Sequence, residues 1–156
     1  MKGSILVGGF LAFTAIFAGV LWYYQNYAFY DVSSSEYFTM ELTLVGGGEP
    51  APILADEFNL LTSDTSPLKF RACFTVGNSI PMLTETYVVF EDATPLKSPS
   101  WFDCYDYVQI TEDLKSGKAV AFLGEKNITD GIDRVVAIYD DGRAFAWHQF
   151  NDKFAE

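Results

Sequence analysis

Residues 5–24, ILVGGFLAFTAIFAGVLWYY, restrict this chain more than any other part of it, because they carry no charge at all. As a helix, residues 5–21 rise about 26 Å and continuation to Tyr24 gives about 30 Å, the thickness of a bilayer's hydrocarbon core. Trp22, Tyr23, Tyr24 and Tyr27 follow directly, and such amphipathic rings collect at the membrane–water boundary. Lys2 lies on one side of the stretch, and Asp31 and Glu36 lie on the other. The positive-inside rule then predicts a cytoplasmic N-terminus with everything after Tyr30 outside. A cleaved signal peptide is the competing reading. It calls for a shorter apolar run and a small-residue cleavage site, whereas bulky aromatics follow here. A retained single-pass signal-anchor is therefore expected over residues 1–30, with the lipid bilayer as its first partner.

Inside this segment Gly8, Ala12, Ala15 and Gly19 recur at steps of four, three and four, which aligns them on one helix face. Small residues let a second helix approach closely, and in lipid that packing is a main source of association. The strip is the expected contact with a membrane protein complex.

Residues 31–37 read as a short polar tether, and residues 38–156 as a periplasmic α+β domain. YFTMELTLVGGG alternates Met40, Leu42 and Leu44 against Glu41 and Thr43, a half-buried strand ended by glycines. LKFRACFT alternates in the same way, and ETYVVFED is a third strand candidate. DRVVAIYDDGRAFAWHQF places two apolar runs around Asp141-Gly142, a hairpin signature, with KAVAFLG just upstream. ITEDLKSGK predicts a short helix capped by Thr111 and stopped by Gly117, and PAPILADEF predicts another helical turn. The sum is a mixed, mainly antiparallel sheet with one or two small helices.

Beyond Tyr30, nine Lys/Arg stand against 21 Asp/Glu, a net charge of −12. This excludes nucleic acid as a partner, since phosphate binding needs a basic footprint. It favours encounter with a basic periplasmic protein. The two cysteines, Cys73 and Cys104, form an even pair in an exported domain and are expected to be a disulfide. Because Cys73 alternates to the face opposite Phe70 and Phe74, that bond requires the second face of the sheet to be covered as well. His148 is the single histidine and sits among aromatics. A packed imidazole is expected in preference to a general base, which needs a neighbouring nucleophile. The acidic pairs Glu91/Asp92, Asp103/Asp106 and Glu112/Asp113 read as solvated turn residues. No phosphate loop, haem motif, calcium loop or zinc spacing occurs, so no cofactor and no metal are expected.

The blocks LADEFNLLTSDTSPLKFRACF, LTETYVVFEDATPL, WFDC and GIDRVVAIYDDGRAFAWHQ resemble those of a family of small, uncharacterised, single-pass alphaproteobacterial proteins. The resemblance covers almost the whole chain and implies a bacterial inner-membrane protein with a periplasmic domain and no assigned activity. The expectation is a non-enzymatic accessory or assembly subunit of a larger membrane complex, respiratory or photosynthetic. The alternatives are a periplasmic ligand- or peptide-binding module and an enzyme using carboxylates with His148.

Overall fold

The computed structural model describes residues 2–154. The chain divides into two compact units, residues 1–30 and 31–156. In the first, α1 (Lys2–Tyr23) runs into a π-helical turn, Tyr24–Ala28. Together they form one N-terminal helix long and apolar enough to span a membrane, with mean hydropathy 2.2 and none of its apolar window buried. The wider π turn brings residues five apart together, so Trp22 meets Tyr27 edge-on at 5.4 Å. Tyr23 stacks on the same Tyr27 at 5.9 Å.

The second unit is α+β. Its strands are β1 (Asp31–Ser34), β2 (Glu41–Thr43), β3 (Pro50–Pro52), β4 (Ala55–Thr62), β5 (Arg71–Val76), β6 (Ala119–Thr129), β7 (Ile132–Tyr139) and β8 (Arg143–Phe150). Its helices are α2 (Ile80–Thr86) and α3 (Tyr107–Ser116). Six strands form one antiparallel sheet in the order β1-β4-β5-β8-β7-β6, and β2 pairs with β3 in a separate ribbon. The β7–β8 hairpin turns at Asp141-Gly142, with Gly142 at φ +92, a conformation open to glycine.

Four expectations are corrected. Residues 31–34 are no tether, because they pair with Asn59–Thr62 as the edge strand β1. PAPILADEF is extended, forming β3 and the start of β4. Its Pro50 and Pro52 restrict the residues before them to extended backbone. ETYVVFED forms only isolated bridges, Leu44 with Tyr87 and Val89 with Phe122, since α2 occupies its first residues. Finally, α3 is capped by Asp106, not Thr111: the Asp106 carboxylate accepts from the N–H groups of Val108 and Gln109. That cap is worth about 1 kcal/mol.

The sheet is covered on both faces. On one, Phe58, Leu60, Phe70, Ala72, Phe74, Val136, Ile138, Ala144 and Ala146 pack against Met40, Leu42, Ile53, Leu83 and Tyr87 from the β2–β3 ribbon and α2. On the other, Cys73, Trp147 and Tyr139 lie beneath Phe102, Tyr105 and Ile110, all buried. The irregular segment 91–106 is held there by polar staples. Arg71 donates to the carbonyls of Leu96, Lys97, Leu68 and Phe70 at 2.6–3.2 Å. Gln149 Oε1 accepts from Thr94 N–H, and its amide nitrogen donates to the Asp92 carbonyl. Buried polar groups are tolerated when satisfied in this way. The cover that Cys73 required is therefore present, and the Cys73–Cys104 disulfide closes it, with Cα atoms 6.2 Å apart.

Candidate functional site

Among the polar clusters of the outer domain, three bear on function. The first is built around His148. Its strand position on β8 faces Arg134 of β7 across the register, and the two side chains join: Arg134 Nε donates to His148 Nε2 at 3.1 Å. The other ring nitrogen, Nδ1, meets the Pro67 carbonyl at 2.6 Å, so it carries the proton and Nε2 accepts. Phe70 stacks on the imidazole at 4.5 Å, and the Arg134 guanidinium lies over the Phe70 ring at 4.4 Å. Burial, reinforced by the Arg134 charge, lowers the His148 pKa from 6.5 to about 4. The imidazole is thus neutral with both nitrogens occupied. That is the packed histidine expected, and it leaves no free nitrogen to take a proton from a substrate.

The second place corrects an expectation. Asp113 is no solvated turn residue; it is buried on the inner face of α3. Its Oδ2 accepts from the Tyr139 hydroxyl at 2.8 Å and its Oδ1 from Gln109 at 2.9 Å. The Tyr139 bond holds the Asp113 pKa below the usual carboxylate value, with Gln109 adding to the effect. Burial and the same carboxylate push the Tyr139 phenol up. Lys118 stands 3.9 Å from Asp113 and Arg143 covers the Tyr139 ring at 4.4 Å. These groups line an open cleft of about 410 Å³ with Asp140 and Asp141. The carboxylate is ionised and fully engaged, which suits a structural clasp between α3 and the sheet rather than proton transfer.

The third place is a cleft of about 830 Å³ where β1 leaves the sheet. Ser34, Ser35, Glu36 and Tyr37 line one side, and Ala55, Asp56, Glu57 and Phe58 of β4 line the other. A register shift between Asp56 and Asn59 marks a bulge there, with Glu57 at φ +57. Bulges at sheet edges re-aim side chains and end pairing. Among the described residues, no three His, Cys, Asp or Glu side chains group to hold a metal ion.

Sequence reasoning missed the Asp113–Tyr139 clasp and the cleft at β1. Only the N-cap at Asp106 gave a signal for the first: a helix starting there puts Ile110 and Asp113, three apart, on one face. In α1, Gly8, Ala12, Ala15 and Gly19 are all exposed, and nothing lies within 4 Å of a Cβ placed on Gly8 or Gly19.

No curated protein and no solved structure matches the chain. A family model matches residues 40–156, which spans the ribbon, both helices of the outer domain and strands β4 to β8, and leaves out β1 and the wall of the larger cleft formed by residues 34–37. The chain therefore belongs to a family of unknown function, DUF6446.

Proposed function

We propose that the protein is a non-enzymatic accessory or assembly factor, anchored in a bacterial inner membrane by its N-terminal helix and working beside a larger membrane complex. The observation that carries this reading is α1 with its π turn, whose apolar window has a mean hydropathy of 2.2 and is not buried at all within its own chain. The open strip of small residues gives a partner helix room to dock. Lys2 at the start of the helix and the acidic residues after it favour a cytoplasmic N-terminus and a periplasmic domain. The disulfide agrees with an oxidising compartment. The occupied nitrogens of His148 weigh against the enzyme alternative. Association with a respiratory or photosynthetic complex rests on analogy, since soluble carriers of such complexes are often basic and this domain carries a net −12.

Two measurements test the reading. A reporter active only in the periplasm, fused after Glu156, should be active, and a cytoplasm-only reporter in the same place should be silent. The reverse pattern would defeat the orientation. For the partner, Gly8→Ile with Gly19→Ile should cut recovery of co-purifying membrane proteins in mild detergent by about tenfold, because bulk on the strip separates the helices. Phe10→Leu with Val20→Leu should leave recovery unchanged. Both pairs keep the segment apolar, so insertion is preserved. Equal recovery from both would make the helix a tether only.

A further inference from the structure

Antiparallel register fixes which residues share each end of the six-stranded sheet. Val32 of β1 is level with Leu61, Arg71, Trp147 and Val135 on the next strands across. From that row β1 runs back to Asp31, β8 runs out to Phe150, and β7 begins at Ile132 opposite Phe150. The end where Asp31 enters the sheet therefore also carries residues 63–69, the turn at 126–131 and the tail at 151–154. Phe29 and Tyr30 alone separate Asp31 from Ala28, the last residue of the π turn, a reach of at most about 10 Å of extended chain. With the N-terminal helix in a bilayer, Asp31 stands within that reach of the membrane boundary.

The tail displays two aromatic rings at this end. Phe150 and Phe154, each 53% exposed, meet edge-on at 5.7 Å. Asn151, itself buried, fastens the tail to the turn. Its N–H donates to the Gly131 carbonyl at 2.9 Å, and its amide nitrogen donates to Asn127 Oδ1 at 2.7 Å and Asp133 Oδ1 at 3.0 Å. Phe154 N–H donates to the Asn151 carbonyl at 3.0 Å. Phe154 also lies so close over Gly131 that a side chain there would overlap its ring. Because both rings are already ordered, moving them into an apolar layer gains the hydrophobic term with little further loss of conformational freedom. Charge points the same way. At this end Lys69, Lys126 and Lys153 stand against Asp31, Asp64, Asp130 and Asp152, a net of −1 out of the outer domain's −12. An anionic lipid surface repels the rest of the domain far more strongly than this end.

We propose that this end of the outer domain rests on the periplasmic leaflet, with Phe150 and Phe154 entering the headgroup region and Lys126 and Lys153 meeting lipid phosphates. Exposed aromatic rings flanked by lysines are a composition that binds membrane interfaces. The proposal rests on the anchor reading and adds a second lipid contact to it, which leaves the acidic remainder of the domain facing the periplasm.

The test uses the full chain, singly inserted in nanodiscs of phosphatidylethanolamine and phosphatidylglycerol. 4-Fluorophenylalanine takes the place of Phe150, Phe154 or, at the opposite end of the sheet, the exposed Leu54. A nitroxide on the lipid headgroup should abolish the fluorine signals at 150 and 154 and spare the one at 54. A water-soluble nitroxide should do the reverse. Phe154→Asp with Lys126→Asp should open the ring at 150 to the soluble reagent, since one ring is lost and charge of the lipid's own sign is added. Signals at 150 and 154 that both reagents abolish would reduce the contact to the nearness imposed by the chain and overturn the proposal. Loss of all three signals to the lipid reagent would mean that no end is preferred, and would overturn it too. Protection that arises only with two chains per disc would make a second copy the occupant instead. The labelled native rings decide the matter even if the double variant misfolds. Quenching of Trp22 fluorescence by the same lipids, identified by its disappearance in Trp22→Phe, reads the anchor separately. Quenched Trp22 with unprotected rings keeps the anchor and rejects the contact, whereas unquenched Trp22 rejects the anchor itself.

Discussion

Replacing Cys73 and Cys104 together by serine is expected to lower the stability of the outer domain by roughly 3.5–4 kcal/mol. The bond joins residues 31 apart in sequence, and its loss frees the unfolded chain to explore the conformations that the closed loop forbids. Cys73 sits on β5 inside the sheet, and Cys104 sits in the segment that covers the second face. The bond therefore ties the cover to the layer it covers. Arg71 and Gln149 keep their hydrogen bonds to residues 92–97 in the variant, so the fold should persist in weakened form. Urea unfolding of the full chain in micelles, followed by tryptophan fluorescence, should show the midpoint falling in the variant and in reduced wild type alike. Amide exchange should quicken first in residues 98–106, beyond the staples. A midpoint within experimental error of the oxidised protein would show that the staples alone hold the cover.

Acidification from pH 7 to pH 4.5 is expected to cost about 2.5 kcal/mol through His148 alone. Its pKa is about 4 in the folded domain against 6.5 for an ordinary histidine. The unfolded chain thus takes up a proton below pH 6.5 that the folded domain refuses until about pH 4. Stability is fully present above pH 6.5 and is lost as pH falls through that window. Protonation would set an imidazolium against the Arg134 guanidinium at a 3.1 Å contact, a like-charge pair in a buried site. Since the chain holds one histidine, no other imidazole shares the window. The clasp at Asp113, whose pKa is lowered, keeps its contribution above the usual carboxylate value and loses it only in stronger acid. His148→Gln offers one donor to the Pro67 carbonyl and one acceptor to Arg134 without titrating. It should abolish most of the slope between pH 7 and 4.5 in the urea midpoint. An unchanged slope in that variant would place the acid-sensitive group elsewhere.

Periodicity in the sequence located β2, β5, β7 and β8, because each strand buries alternate residues or a full apolar run, and such patterns survive without knowledge of neighbours. The hairpin at Asp141-Gly142 was legible for a local reason: φ +92 at Gly142 is a backbone state that few other residues adopt. The helix at residues 107–116 is legible but begins ahead of Thr111, the cap expected from the sequence, because Asp106 caps it instead and that choice depends on where the chain enters. PAPILADEF, expected to hold a helical turn, is extended instead, in keeping with the preference that proline imposes on its predecessor.

The apolar character of α1, the acidity of the rest, the α+β class and the pairing of the two cysteines were determined by the sequence itself, as properties of composition and local pattern. Tertiary structure alone decided which polar groups are engaged. Asp113 became a buried clasp because β7 brings Tyr139 to it from 26 residues away. His148 lost its titration in the physiological range because the sheet buries it and sets the Arg134 charge, 14 residues distant, against its Nε2, while the Pro67 carbonyl, 81 residues distant, holds its other nitrogen. The cleft at the β1 edge arose because β1 ends at Ser34 while β4 begins four residues before its pairing with β1 starts. Hydrogen bonds and charge contacts act over a few ångströms, so residues far apart in sequence come to control one another's chemistry only where the sheet register sets them side by side.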